Sequence, residues 1–167
     1  LSNREYRTTN IELGDLSVTS SITVKIKKVS ENSLNIPHYA TAASAGVDLC
    51  ADLKETIVLK PGENIKIPTG LAIELPGAHI VALVFARSGL ASRYGIGLTN
   101  GVGVIDADYR GEIQVLMQNL GSEPLAVNPG DRIAQMIFMP IFRAIFEEVN
   151  ELEETARGVG GFGSTGV

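Results

Sequence analysis

The sequence predicts an all-β domain with one short helix. Apolar and polar residues alternate along many segments, beginning with Ile22, Val24 and Ile26 against Thr23, Lys25 and Lys27; this is the period of a strand with one face buried. Turn-forming pairs recur between such segments, at Pro61-Gly62, Pro76-Gly77, Gly121-Ser122 and Pro129-Gly130. A single stretch, residues 87–94, reads as helix. Short strands at regular spacing fit a sandwich, jelly roll or barrel rather than a βαβ sheet.

Residues 1–21 are polar and carry no periodicity, so they read as an extension, mobile or draped over a neighbour and dispensable for activity. Leu1 in place of methionine suggests a trimmed start. The domain proper spans residues 22–155. After the strand opening at Ile22, further strands are expected at 56–59, 64–67, 71–75, 80–86, 112–120 and 133–140. Between them Arg87-Ser88-Gly89-Leu90-Ala91-Ser92-Arg93-Tyr94 offers a cap-like Ser88, helix formers and then Gly95 as a stop. Its first amides together with Arg87 could bind an anion.

One domain suits 167 residues, enough to bury a core without disulfides or a structural metal. A formal charge of -5 and a pI near 5.0 argue against nucleic-acid or membrane-surface partners, which call for a basic face. Cys50 stands alone in the apolar run Val47-Asp48-Leu49-Cys50-Ala51, which suggests a reducing compartment and a packed, inert thiol. His38 and His79 are too few and too isolated for a zinc site. No apolar run is long enough to cross a bilayer, and the first residues lack a signal-peptide core.

Chemistry concentrates in Thr99-Asn100-Gly101-Val102-Gly103-Val104-Ile105-Asp106-Ala107-Asp108-Tyr109-Arg110-Gly111-Glu112. It reads as a hairpin whose glycines let the backbone approach a ligand. Val104 and Ile105 are expected to fix the second arm by burial. Asp106 and Asp108 are expected at one pocket mouth, with Tyr109 supplying a flat ring with a polar tip. Taken alone, the same residues also fit a glycine-rich turn with solvated acids.

The second unusual stretch is the end, residues 156–167, where glycines surround Phe162. It cannot form a core, and the bland reading is a flexible terminus. As a flap, its glycine amides, Gly163 among them, and the Ser164 and Thr165 hydroxyls would wrap phosphate oxygens. Arg157 would neutralise charge, and Phe162 would stack on a base. It is not a P-loop, since the lysine and the following helix are missing.

Taken together, these segments resemble the five ordered motifs of the trimeric dUTP diphosphatases (dUTPases). They are Ala45-Gly46-Val47-Asp48-Leu49; Arg87-Ser88-Gly89-Leu90-Ala91; the run from Asn100 to Gly111; Gly130-Asp131-Arg132-Ile133-Ala134-Gln135; and the tail from Arg157. Ala86 departs from the proline common before the second motif. The resemblance implies a distorted jelly-roll (β-clip) fold, and a homotrimer whose shared active sites are closed by the tail of one subunit over a site formed by others.

It also implies hydrolysis of dUTP to dUMP and pyrophosphate by water attack at the α-phosphorus, which limits uracil in DNA and supplies dUMP for thymidylate synthesis. Asp106 would be the base, Asp108 a structural neighbour. Mg2+ would bridge the triphosphate, with Asp48 holding it through a water. Arg87, Ser88, Gly89, Gln135 and Arg157 would bind phosphates, and Arg132, beside Asp131, would form a fold-shaping ion pair. Backbone groups from Asn100 through Gly103, Val104 and Ile105 would read the uracil edge, and Tyr109 would lie against the sugar and exclude a ribose hydroxyl. A cytoplasmic enzyme, or a nuclear one in a eukaryote, is implied. The rival readings are a dCTP deaminase of the same fold family and a non-catalytic nucleotide-binding regulatory module.

Overall fold

The computed structural model describes residues 21–31 and 36–161, and these form a β structure with one short helix. The strands are β1 Lys25–Lys28, β2 Val47–Cys50, β3 Ile57–Leu59, β4 Asn64–Pro68, β5 Leu71–Glu74 and β6 Ile80–Phe85. Helix α1, Ser88–Tyr94, follows. Then come β7 Ile96–Leu98, β8 Gly103–Ile105, β9 Gln114–Asn119, β10 Leu125–Val127 and β11 Arg132–Pro140.

Among the described residues the strand pairings are all antiparallel and join strands that are not neighbours in the chain. The largest sheet has the order β2-β11-β6-β8, a second has β4-β9-β7, and two pairs, β1-β5 and β10-β3, complete the set. Non-sequential neighbours of this kind are what a jelly roll requires and a simple meander forbids. Most strands contribute to a shared core in which Leu49, Ile67, Val115, Met117 and Ile133 are at most 2% exposed, and β5 and β6 are buried on both faces.

A buried side chain with no room to collapse around it carries a large part of the stability. Leu49→Ala should therefore cost about 2–5 kcal/mol, measured by urea unfolding with an unchanged m-value. A loss well under 1 kcal/mol would show the core repacking there.

Two polar residues are buried among the described residues, Thr69, whose hydroxyl donates to the Ile113 carbonyl at 2.7 Å, and Asn119, fully buried yet satisfied. Its Nδ2 donates to the carbonyls of Leu59 (2.9 Å) and Glu123 (2.8 Å), while its Oδ1 accepts from the Gly121 amide (2.9 Å). It ties the end of β3 to the loop between β9 and β10, and its hydrogen bonds are what keep a buried amide from being a liability.

Several expectations need correction. The first strand begins at Lys25, Ile22 being exposed and Val24 only packed against the core. Ser88 is not the helix cap. Arg87 occupies that position with extended backbone and no side-chain cap bond, and Ser88 is the first helical residue. Gly95 does end the helix in the left-handed region, φ 67°, where a side chain is disfavoured. A Cβ there would also lie 2.7 Å from the Gly121 amide nitrogen.

Cys50 is half-buried, and burial foremost, with the neighbouring Asp48 carboxylate, pushes its thiol above the usual range. The protonated thiol is the poor nucleophile. Iodoacetamide at neutral pH should therefore label Cys50 more slowly than it labels the urea-unfolded chain; equal rates would contradict this environment.

Candidate active site

The run of residues 99–112 does not form a hairpin with mutually paired arms. Its first arm, β7, pairs with β9, whereas its second, β8, pairs with β6 in the other sheet. The loop between them therefore bridges two sheets through a tight turn at residues 98–101, with a cavity beside it. Gly101 takes φ 69°, its amide donating to the Leu98 carbonyl at 2.9 Å.

Gly103 faces Val84 across the β6–β8 ladder, where an added Cβ would come within 3.1 Å of the Val84 Cβ. The second arm is fixed by Ile105, 8% exposed, and not by Val104, which is 63% exposed. Period two forces this outcome, since consecutive residues in a strand face opposite sides.

A cavity of about 290 Å³ is lined by Asn100, Gly103, Val104, Ile105, Asp106 and Tyr109, with Leu98, Gln114 and Leu116 opposite. Its size suits one planar ring with a sugar. Asp106 lies in this wall. Asp108, two residues on, does not, so the two carboxylates do not share one pocket mouth as the sequence suggested.

The acids are separated by a turn in which the Tyr109 amide donates to the Asp106 carbonyl at 3.2 Å. The Tyr109 hydroxyl donates to the Glu112 carbonyl at 2.9 Å. A Cβ on Gly111 would meet the Tyr109 ring, 2.6 Å from its Cζ. Glycine at 111 is thus set by the ring beside it. Gly111→Ala should displace Tyr109 and, on the sugar-contact reading, narrow the preference for deoxyribonucleotides over ribonucleotides several-fold; an unchanged preference would separate the ring from sugar choice.

A second cluster gathers at the other side of the large sheet. Gln135 on β11 stands abreast of Asp48 on β2 and Phe85 on β6, so sheet order brings three distant segments into one row. Gln135 Nε2 donates to the Ala86 carbonyl at 3.1 Å. Asp48 is clasped by two arginines, Arg87 Nε to Oδ1 at 2.8 Å and Arg132 Nη1 to Oδ2 at 3.1 Å. Arg87 Nη1 also donates to the Arg132 carbonyl at 3.3 Å.

The ion pair of Arg132 is therefore with Asp48. Its neighbour Asp131 instead accepts from the Asn128 amide at 2.7 Å. Beside Arg87, the Leu90 and Ala91 amides both return to the Arg87 carbonyl. Those of Ser88 and Gly89 come before the first helical bonds and are the orphan donors of a helix start. A Cβ on Gly89 would meet nothing within 4 Å, so packing within one chain does not demand glycine there.

The two clusters stay apart on one chain. Arg87, Ser88, Gly89, Asp48 and Gln135 line no part of the cavity that holds Asp106. Arg157 does not reach either cluster; its Nε donates to the Gly160 carbonyl at 2.8 Å within its own turn. Phe162, Gly163, Ser164 and Thr165 lie outside the described residues, as do residues 1–20 of the extension.

Glu112 was missed by sequence reasoning. Its Oε1 accepts from the Gly70 amide at 2.7 Å and its Oε2 from Gln114 Nε2 at 3.2 Å, anchoring the end of the site loop to the strand beyond. No local pattern announces such a contact, because its partner is 42 residues away.

Comparisons with known proteins identify the family. A family model described as dUTPase matches residues 32–166. The chain is 59% identical over 149 residues to the deoxyuridine 5'-triphosphate nucleotidohydrolase of Desulfitobacterium hafniense (strain DSM 10664 / DCB-2), covering 89% of this chain and 99% of the relative. To the protein of the same name from Neisseria meningitidis serogroup C (strain 053442) it is 50% identical over 147 residues, covering 87% and 98%.

Among solved structures, the dUTPase of Staphylococcus bacteriophage 80alpha with dUPNHPP superposes at a TM-score of 0.75 with 28% identity, covering 88% of this chain and 100% of that one. A mutant dUTPase of phage phi11 of S. aureus, whose structure reveals the coordination of a structural Mg(II) ion, gives 0.70 with 26% identity over 79% and 99%.

Proposed function

The chain belongs to the dUTPase family and hydrolyses dUTP to dUMP and pyrophosphate, and we propose that it does so in sites shared between the subunits of a homotrimer. The observation that supports sharing is the separation of the two clusters. Asp106, Tyr109 and Gly103 line a nucleoside-sized cavity. The arginine clasp, Gln135 and the helix start form a phosphate-binding surface elsewhere. A site complete in both needs one cluster from each of two chains, and a closed ring supplies that geometry.

In this reading the backbone of Asn100, Gly103, Val104 and Ile105 matches the acceptor-donor-acceptor edge of uracil. Cytosine would leave polar groups unpaired, which is costly in a closed pocket. Tyr109 lies along the sugar. Asp106 accepts a proton from the attacking water, a role that calls for a carboxylate at the cavity wall. Arg87, the Ser88 hydroxyl, the Gly89 amide and Gln135 donate to phosphate oxygens where negative charge develops. The tail supplies Arg157, Phe162, Gly163, Ser164 and Thr165 to close the site. The chain thus divides into an extension (1–21), a β domain (22–155) and a flap (156–167).

Mg2+ fits this donor set as a substrate-borne ion. Both Asp48 oxygens are occupied by arginines, and among the described residues no group of three or more His, Cys, Asp or Glu side chains could cage a metal. A hard cation held by triphosphate oxygens and waters agrees with that, Asp48 reaching it through a water. When bound, Mg2+ would offset charge on the leaving pyrophosphate. Among the described residues no helix is long and apolar enough to cross a membrane; we place the enzyme in the cytoplasm, with the nucleotide pool.

Pyrophosphate release measured with dUTP, dCTP, dTTP and UTP, each with and without Mg2+, tests this. Hydrolysis of dUTP alone, enhanced by Mg2+, is expected. Ammonia release from dCTP would instead assign the deaminase chemistry of the same fold family, and nucleotide binding without turnover would assign a regulatory module.

A further inference from the structure

We propose that Arg110 is a positioning residue that holds Asp106 and Tyr109 in one fixed relation, so that base and sugar contact act as a unit. The inference rests on the assignment of Asp106 and Tyr109 given above. Arg110 is exposed and, among the described residues, forms no salt bridge, although its charge reaches the Glu74 carboxylate. Its guanidinium instead turns back on its own loop. Nη1 donates to the Ala107 carbonyl at 2.7 Å and to the Tyr109 carbonyl at 2.9 Å.

Those two carbonyls belong to the turn between the base and the ring. That turn is otherwise closed by one long bond, Tyr109 amide to Asp106 carbonyl at 3.2 Å. On its far side the ring is fixed by the Glu112 carbonyl and by the space Gly111 leaves. On its near side Asp106 follows directly on Ile105, the buried end of β8. Between these ends the curvature is set by that backbone bond and by the two bonds of the Arg110 clasp. A charged donor shared by two carbonyls is stronger than a neutral one.

Loss of the clasp frees Asp106 and Tyr109 to move relative to one another while the nucleotide still binds both clusters. Misplacement of a catalytic group lowers the chemical step more than binding. Tyr109 displacement also relaxes sugar choice, an effect that a general loss of stability would not produce.

The test compares Arg110→Met and Arg110→Lys with the wild-type enzyme, at a temperature well below every melting transition. Arg110→Met should lower kcat about tenfold with KM changed by less than about threefold, and should narrow the preference for dUTP over UTP. Arg110→Lys, whose ammonium has donors for both carbonyls, should recover most of kcat and of the preference. Should Arg110→Met not fold, Arg110→Gln is read against the same outcomes. Wild-type kcat and preference in the neutral variant would overturn the inference, as would a lysine variant no better than the neutral one. Failure of the wild-type enzyme to hydrolyse dUTP would instead overturn the functional reading beneath it.

Discussion

Replacing Asp106 by Asn lowers kcat by roughly 100-fold or more while nucleotide binding survives, because the substitution keeps the shape of the side chain and removes the proton acceptor. The backbone around it is fixed by Ile105 on one side and by the turn to Tyr109 on the other, so the variant should fold as the wild type does. Asp108→Asn is the control. Asp108 lies on the same turn but outside the cavity wall, and its loss should cost much less. Single-turnover measurements on both variants separate chemistry from product release; a larger chemical defect at Asp108 would overturn the assignment of the base.

Deleting residues 157–167 should nearly abolish turnover and leave the fold intact. The core of the described β domain draws on none of residues 157–161, so the fold should survive the deletion. Its many glycines make it costly to order, and closure should occur only when phosphates and a base offset that entropy. Within one chain Arg157 bonds its own turn at Gly160, a contact it would exchange for a phosphate. Phe162→Ala should weaken catalysis. Phe162→Trp should preserve it and report closure by fluorescence, since the native chain has no tryptophan. Hydrolysis of dUTP by the truncated protein at the full-length rate would reduce the tail to an ordinary terminus.

The fold class was legible because alternation survives in the longer strands: β4, β5, β6, β9 and β11 all fall within a few residues of their expected bounds. Strands β7, β8 and β10 are three residues each, short enough for the period to be lost, although β3, of equal length, was expected. β2 was hidden for another reason. Val47-Asp48-Leu49-Cys50 reads as an apolar run around an acid, and only the pairing with β11 shows that Asp48 and Cys50 share the less buried face.

The candidate site was legible where chemistry is local and obscure where sheet order makes it. Asn100, Gly103, Asp106 and Tyr109 sit within ten residues and do line one cavity. The clasp of Arg87 and Arg132 on Asp48 joins residues up to 84 apart, and a sequence offers no reason to choose that partner for Arg132 over the adjacent Asp131. The exposure of Val104 was a different failure, of register within a short strand rather than of distance.

The central claim, that a complete site draws on more than one subunit, is tested most directly by complementation. Asp106→Asn protein and protein lacking residues 157–167 are each nearly inactive on this account. Co-expressed so that subunits mix at random, they should regain roughly a quarter of wild-type activity, because a site that takes its base from a truncated subunit can be closed by the tail of an Asp106→Asn subunit. If mixed assemblies, verified by mass, are no more active than the two parents, then base and tail act within one chain and the shared-site account is wrong.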